Sequence, residues 1–128
     1  FHGRINKTKK SEYIDYINYY KNSHLLIHAA RFDASPIVTS EAAAFGTPTI
    51  TNNCGGMATS VKNGVSGIVL PINSGIDKYI LQIKNMITNP DMYYSLCEST
   101  RMRYEKELNW LKIGNELNMI ISSSLIEK

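Results

Sequence analysis

The fold is decided by residues 25–51, LLIHAARFDASPIVTSEAAAFGTPTIT. The short apolar run at residues 25–29 is typical of a strand that is buried on both faces of a sheet. A helix is predicted over residues 36–45, because Pro suits its first position and the following Gly46 suits the position just past its end. A second strand is predicted over residues 48–51. Strand, helix and strand in this order indicate two parallel strands joined by a crossover helix.

The same alternation extends in both directions from this unit. Upstream, the sequence predicts a short strand over residues 1–5 and a helix over residues 11–21, with Ser11 as its N-cap. Downstream it predicts a helical turn over residues 58–62 and a third strand over residues 67–70. The expected fold class is therefore α/β, a Rossmann-like parallel sheet with helices on both faces.

The last third of the sequence is predicted to be helical. Four isoleucines recur at helical spacing and are expected to form a core stripe, namely Ile76, Ile80, Ile83 and Ile87. Asn89 and Pro90 indicate the start of the next helix, which carries Tyr93, Cys97, Thr100 and Tyr104 on one face. Asn109 opens a last helix, so the parallel sheet should be complete by about residue 70.

Composition excludes several classes of protein. The chain has 128 residues, of which 43% are hydrophobic and 20% are charged. These proportions are ordinary for a globular protein and argue against disorder, collagen and a coiled coil. A net charge of +3, from scattered residues, does not indicate a nucleic-acid partner. No apolar run approaches the roughly 20 residues of a membrane helix. Cys54 and Cys97 lack metal-ligand spacing and are interpreted as free thiols in a reducing compartment.

Residues 31–41, RFDASPIVTSE, carry the candidate chemistry. Ser35 is expected to cap the helix, which leaves the N–H groups of Ile37 and Val38 free at the positive end of the helix dipole. Such a helix start binds anions, phosphate in particular. Asp33 precedes the helix start and Glu41 follows it, so both carboxylates could accept hydrogen bonds from neutral hydroxyls. Taken alone, the pattern favours a plainer interpretation, in which Asp33 is a solvated loop residue and Glu41 is a favourable charge near the start of the helix.

A wider series of motifs follows this stretch in order. After Asp33 and Glu41 come a helix that ends in Gly46-Thr47-Pro48, the loop Asn53-Cys54-Gly55-Gly56, the turn Asn63-Gly64-Val65-Ser66-Gly67, and Leu70-Pro71. This series resembles the retaining GT-B glycosyltransferases, and more narrowly their family 4. The resemblance extends from about Phe1 to Trp110.

The resemblance implies transfer of a sugar, with retention of anomeric configuration, from a UDP- or GDP-linked donor to an acceptor glycan, lipid or small molecule. It implies that Glu41 holds the ribose hydroxyls and that Asp33 contacts the donor sugar. No metal or other cofactor is expected, since the helix dipole and basic side chains carry the diphosphate charge. Backbone amides of the loop and helix start would bind the sugar and the distal phosphate, and these belong to Ala34, Ser35, Ile37 and Val38.

Three positions depart from the family pattern. Asp33 replaces the usual Glu and is one methylene shorter. Pro36 stands where Gly is frequent and removes one amide donor. Thr59 stands where many members have a Glu. These departures leave open an alternative function, that of a non-catalytic GT-B-like module that binds nucleotides or proteins.

Other residues near the predicted site have two interpretations each. Gly55 and Gly56 could let the backbone approach the donor, or form a plain turn. Arg31 could neutralise phosphate or pair with Asp33, and the pairing is preferred. His28 is interpreted as a structural, hydrogen-bonded residue. Cys54 is interpreted as incidental, and the tyrosines of residues 13–20 as helix packing.

The resemblance covers only the later part of a two-domain enzyme. Residues 1–128 are therefore expected to be one fragment of the donor-binding domain, without its first strand–helix units and without the acceptor domain. Such a fragment should not transfer sugar by itself. A cytoplasmic location is expected, with the full-length protein at most peripheral to the inner membrane face.

Overall fold

The protein is a Rossmann-like α/β domain, which confirms the predicted fold class. The computed structural model describes residues 3–126, with side chains for residues 3–124. Three parallel strands form a sheet in the order β1 (Leu26–His28), β2 (Thr49–Asn52) and β3 (Gly67–Leu70).

The helices follow the predicted order. They are α1 (Lys10–Lys21), α2 (Ile37–Ala44), α3 (Met57–Ser60), α4 (Ile76–Thr88) and α5 (Pro90–Arg103), then a π-helical turn (Tyr104–Leu108) and α6 (Trp110–Ile126). Within residues 3–126, every helix is too short or too polar to cross a membrane.

The strand register places the candidate site at one edge of the sheet. His28, Thr51 and Val69 lie side by side in neighbouring parallel strands. The carboxyl ends of all three strands therefore meet at the same edge, where open α/β sheets bind their ligands. The loop between β1 and α2 and the loop between β2 and α3 both start there.

The hydrophobic core lies between the sheet and the helices α4 and α5. It is built from Ile50, Leu70, Tyr79, Met86 and Leu96. The buried phenol of Tyr79 donates a hydrogen bond of 2.7 Å to Oδ1 of Asn52 at the end of β2. This bond satisfies a polar side chain that the central strand would otherwise bury without a partner.

The predicted isoleucine core stripe of α4 is wrong. Ile76 and Ile87 are each 74% exposed, and Ile80 is 42% exposed. Of the four, Ile83 alone packs against the core, where it lies between the buried Tyr79 and Met86. Residues 79, 83 and 86 also share one helical face, so the apolar periodicity of α4 is compatible with two overlapping buried faces. The face with the larger side chains is the one that is buried.

The first strand also differs from expectation. β1 is an edge strand in the described sheet, and Ile27 is 51% exposed, so the strand is not buried on both faces. Of the short strand predicted over residues 1–5, residues 3–5 form no strand and the first two residues lie outside the described part. Full burial is found instead in β2, the central strand.

The carboxyl end of α2 is the one that the sequence predicts. Gly46 has φ +71° and donates to the carbonyl of Ala43, while Thr47 donates to that of Ala42, both at 3.0 Å. This is a Schellman motif, which favours Gly because its left-handed conformation crowds a Cβ.

Both predicted N-caps are wrong. Pro36, rather than Ser35, is the N-cap of α2, and its carbonyl accepts a 2.7 Å hydrogen bond from the Thr39 hydroxyl. Lys9 is the N-cap of α1, and Ser11 lies inside that helix. The predicted helices thus exist, but neither start uses the side-chain cap that the sequence suggested.

Arg103, which the sequence analysis did not single out, joins α5 to the third strand–helix unit. Its guanidinium is buried and donates to the carbonyls of Ser60 and Thr59 and to the hydroxyl of Ser66, at 2.7–2.8 Å. Its Nε also bonds Glu107 at 2.9 Å. Two of these acceptors are carbonyls in the last turn of α3, where positive charge favours the helix dipole.

We expect Arg103→Met to lower the free energy of unfolding by about 3 kcal/mol, because it leaves several buried acceptors without a donor. Urea denaturation of the chain would measure this loss. The matched control is Lys112→Met, which removes an exposed ammonium paired with Glu116 and should cost less than about 1 kcal/mol. Equal losses in the two variants would contradict the role given to Arg103.

Candidate functional site

The loop between β1 and α2 is folded around the carboxylate of Asp33. Its Oδ1 accepts a 3.1 Å hydrogen bond from the backbone N–H of Ser35. Its Oδ2 lies 3.3 Å from Nε2 of His28, at the end of β1. Both oxygens of this carboxylate therefore contact the protein, and the Ser35 amide, predicted as a ligand donor, is already engaged.

The glycine pair holds this loop against the next one. The N–H of Gly56 donates to the carbonyl of Asp33 at 2.9 Å. A Cβ on Gly55 would lie 2.3 Å from that same oxygen, and a Cβ on Gly56 would lie 2.0 Å from the carbonyl oxygen of Ala34. These glycines are needed for a close contact between two loops, whatever they also do toward a ligand.

The thiol of Cys54 belongs to the same loop contact. It is buried and lies 3.3 Å from the carbonyl oxygen of Ala30, to which it donates a hydrogen bond. This arrangement agrees with the interpretation of Cys54 as a residue without chemistry of its own.

The start of α2 presents free backbone donors. In residues 3–126, no acceptor is paired with the N–H groups of Ala34, Ile37 and Val38. Three of the four predicted amides are therefore available, two of them at the positive end of the helix dipole. Exposed amides in this arrangement can bind a phosphate or another anion.

Glu41 lies in the second turn of α2 and is held by two donors from the N-terminal segment. The ammonium of Lys7 bonds its Oε1, and the phenol of Tyr20 donates to its Oε2 at 3.0 Å. The same Lys7 ammonium lies 4.2 Å from the centre of the Tyr16 ring. With 22% of its side chain exposed, Glu41 remains reachable from outside.

The protonation of these donors is fixed by their surroundings. Burial, followed by the negative charge of Glu41, raises the pKa of Tyr20 above its ordinary value. The hydrogen bond to Glu41 raises the pKa of Lys7. Near neutral pH, Tyr20 is thus a neutral donor and Lys7 a charged one.

A groove of about 730 Å³ runs along this side of the molecule, between α1, α2 and the start of α6. Glu41, Ser35 and Ile37 line it together with aromatic rings, among them Tyr16 and Trp110. Asp33 does not line it. The two carboxylates that the sequence places at one helix start therefore have different surroundings, Glu41 in the groove and Asp33 in the loop contact.

The preferred partner of Asp33 was wrong. The side chain that contacts its carboxylate in the described structure is that of His28, and Arg31 is exposed, with no ion pair among residues 3–126. His28, with 18% of its side chain exposed, is a partnered residue, as its structural interpretation expected. Arg31 is left as an unpaired cation in the loop that precedes the helix start.

Two residues that hold Glu41 were missed by sequence reasoning. Lys7 was not singled out, and Tyr20 was assigned only to helix packing. They are 34 and 21 residues away from Glu41 along the chain, so no local pattern could have joined them. Across the part of the chain that the structure describes, no three His, Cys, Asp or Glu side chains cluster as metal ligands would.

Known proteins resemble this chain in sequence and in fold. The family model described as "Glycosyl transferases group 1" matches residues 3–105. A curated Haemophilus influenzae protein, named an uncharacterized glycosyltransferase, is 27% identical over 88 residues, which is 68% of this chain and 25% of that protein.

Two solved structures share the fold. Sucrose-phosphate synthase from Thermosynechococcus elongatus superposes with a TM-score of 0.76 at 21% identity, covering 91% of this chain and 29% of its own. The Anabaena protein HepE, solved in complex with UDP, superposes with a TM-score of 0.73 at 18% identity, covering 82% and 29%.

The chain spans between a quarter and a third of the length of these relatives. The family model, in contrast, covers most of this chain. The protein belongs to the glycosyl transferases group 1 family.

Proposed function

We propose that this chain is the donor-binding part of a glycosyltransferase that transfers a hexose from a UDP- or GDP-linked donor to an acceptor, with retention of anomeric configuration. The observation that carries the proposal is that backbone amides without an acceptor in the described residues lie at the start of α2, one helical turn from the partly exposed carboxylate of Glu41. A nucleotide sugar has the complementary groups, a diphosphate and a ribose with two hydroxyls. The family membership supports the same reaction class.

In this proposal the start of α2 binds the diphosphate. The amides of Ile37 and Val38 donate to the distal phosphate, and the exposed cation of Arg31 adds charge at the same loop. The dipole of α2 contributes in the same direction. Charge neutralisation of this kind requires no metal ion, and we propose that transfer is metal-independent.

Glu41 is proposed to hold the ribose. A carboxylate offers about four acceptor positions, and Lys7 and Tyr20 fill two of them. The phenol of Tyr16 also interacts with this carboxylate, and the acceptor positions that remain are the ones proposed to bind the ribose hydroxyls. Because Glu41 lines the groove, a ribose bound to it would lie beside α1 and α2.

Asp33 is proposed to contact the donor sugar together with the amide of Ala34. Its carboxylate already contacts the Ser35 amide and His28, so only its remaining lone pairs could serve a sugar hydroxyl. Gly55 and Gly56 act beside it by keeping the loop in place.

The internal engagement of Asp33 favours a second candidate, a non-catalytic nucleotide-binding module. A carboxylate that folds its own loop is less available to a substrate. Assays of the full-length protein with UDP- and GDP-sugars separate the two candidates: an enzyme releases nucleotide by transfer or slow hydrolysis, whereas a binding module takes up nucleotide and releases none.

We expect Glu41→Gln to weaken the binding of UDP or GDP to the full-length protein at least tenfold, because hydroxyls then lose a charged acceptor. Isothermal titration calorimetry would measure the affinity. Glu105→Gln is the matched control, since Glu105 is an exposed carboxylate paired with Arg101 outside the groove. Unchanged affinity in Glu41→Gln would contradict the assignment of the ribose to this residue.

We expect Asp33→Asn to leave UDP or GDP affinity within about twofold and to weaken the corresponding nucleotide sugar roughly tenfold. Asn can still accept the hydrogen bond from the Ser35 amide, so the loop should keep its shape while the charge is lost. Calorimetric titration with UDP-glucose or GDP-mannose, each against the free nucleotide, measures the difference. Equal changes for nucleotide and nucleotide sugar would show that Asp33 does not reach the sugar.

A further inference from the structure

The carboxylate of Glu41 is held on the side of α1 by a stacked aromatic pair. Phe45 directly follows α2 and lies four residues after Glu41, so the two side chains are on the same side of the helix. The ring of Tyr20 lies parallel to that of Phe45, with centroids 5.5 Å apart and planes 6° from each other. From this position the phenol of Tyr20 reaches Oε2 of Glu41 at 3.0 Å.

We propose that Tyr20 is a positioning residue that sets the preference of the site for a ribose over a 2′-deoxyribose, by fixing the rotamer of Glu41. The proposal rests on the function proposed above, in which Glu41 accepts the ribose hydroxyls. It adds a residue that acts through Glu41 and need not touch the ligand.

Geometry gives the physical reason. A glutamate side chain has three rotatable bonds, and two hydroxyls on adjacent carbons can share one carboxylate only when its oxygens are presented together. The Tyr20 hydroxyl engages one lone pair of Oε2 and so restricts the orientations that the carboxylate can adopt. Preorganisation of this kind favours the ligand with both hydroxyls, because a ligand with one hydroxyl can bind a freely rotating carboxylate nearly as well.

Tyr20 is better suited to this role than Lys7, the other donor to Glu41. The Lys7 side chain is 49% exposed, and an exposed ion pair contributes little and is screened by salt. Tyr20 is half-buried and clamped by Phe45. Burial and the charge of Glu41 raise the pKa of its phenol, so it remains a protonated donor through the neutral and mildly alkaline range.

The alternative is that Tyr20 only packs α1 against α2. Tyr20→Phe distinguishes the two, because the phenyl ring keeps the stacking and only the hydroxyl is lost. A packing role predicts equal effects on ribose and deoxyribose ligands. A positioning role predicts that the ratio of the two affinities falls.

The experiment titrates the full-length protein with UDP, 2′-deoxy-UDP, GDP and 2′-deoxy-GDP. We expect the wild-type protein to prefer the ribonucleotide of the bound pair roughly tenfold, and Tyr20→Phe to lose most of that preference, mainly through weaker ribonucleotide binding. Tyr94→Phe is the matched control. Tyr94 is an exposed tyrosine of α5 that does not line the groove of Glu41, so the preference should remain unchanged.

Two further variants guard against a misfolded Tyr20→Phe. Phe45→Leu removes the ring that clamps Tyr20 and leaves the hydroxyl, so we expect an intermediate preference. Tyr20→Phe combined with Glu41→Gln should show no loss of preference beyond that of Glu41→Gln alone, since Tyr20 acts through Glu41.

Each outcome has a distinct meaning. If the wild-type protein prefers the ribonucleotide and Tyr20→Phe retains that preference, the role of Tyr20 is refuted and the proposed function stands. An additive loss in the double variant refutes it as well. If the wild-type protein binds neither UDP nor GDP, the proposed function fails and the positioning role fails with it.

Discussion

Two loops at the carboxyl edge of the sheet contact each other through backbone atoms, and this contact constrains the path of the chain into α2. The N–H of Gly56 bonds the carbonyl of Asp33, and neither Gly55 nor Gly56 leaves room for a Cβ. The contact fixes the chain just before the first turn of α2, so it fixes the direction in which the free amides point. An anion site made of backbone amides is only as well defined as the backbone that carries it.

Local structure could be predicted wherever a sequence signal is short in range. Gly46 marks the end of α2 because a left-handed residue is needed there, and β3 matches its predicted bounds of residues 67–70. The failures needed information from elsewhere in the chain. Which face of α4 is buried depends on the residues that pack against it. In the structure the buried face is that of Tyr79 and Met86, and not the predicted isoleucine stripe. The exposure of Ile27 depends on strand order, which no local pattern encodes.

The candidate site likewise combines features that the local sequence predicts with features that depend on the tertiary fold. The motif from residue 33 to residue 41 located the helix start to within one residue and identified the free amides of Ile37 and Val38, because helix geometry follows from local sequence. The partners of the Glu41 carboxylate were not predictable, since Lys7 and Tyr20 are brought to it by the tertiary fold. The same holds for the bond from the Gly56 N–H to the backbone carbonyl of Asp33. Arg103 is the clearest example of a residue whose role the local sequence does not predict. In the sequence it is an ordinary charged residue at the end of a helix, whereas in the structure its buried guanidinium bonds carbonyls of α3.

Asp33 is one methylene shorter than the Glu of the pattern that the sequence resembles, and this difference has a physical consequence. An aspartate can accept a hydrogen bond from the backbone N–H two residues ahead, which is the contact that Ser35 makes here. A glutamate is one methylene longer and lacks this turn-forming preference, so its carboxylate would extend beyond the loop. The shorter side chain of Asp33 therefore extends less far toward a ligand and instead stabilises its own loop, with His28 against its second carboxylate oxygen. In the proposed function, recognition of charge and hydroxyls therefore depends chiefly on the amides of α2 and on Glu41, and the loop that Asp33 stabilises holds the start of α2 in place.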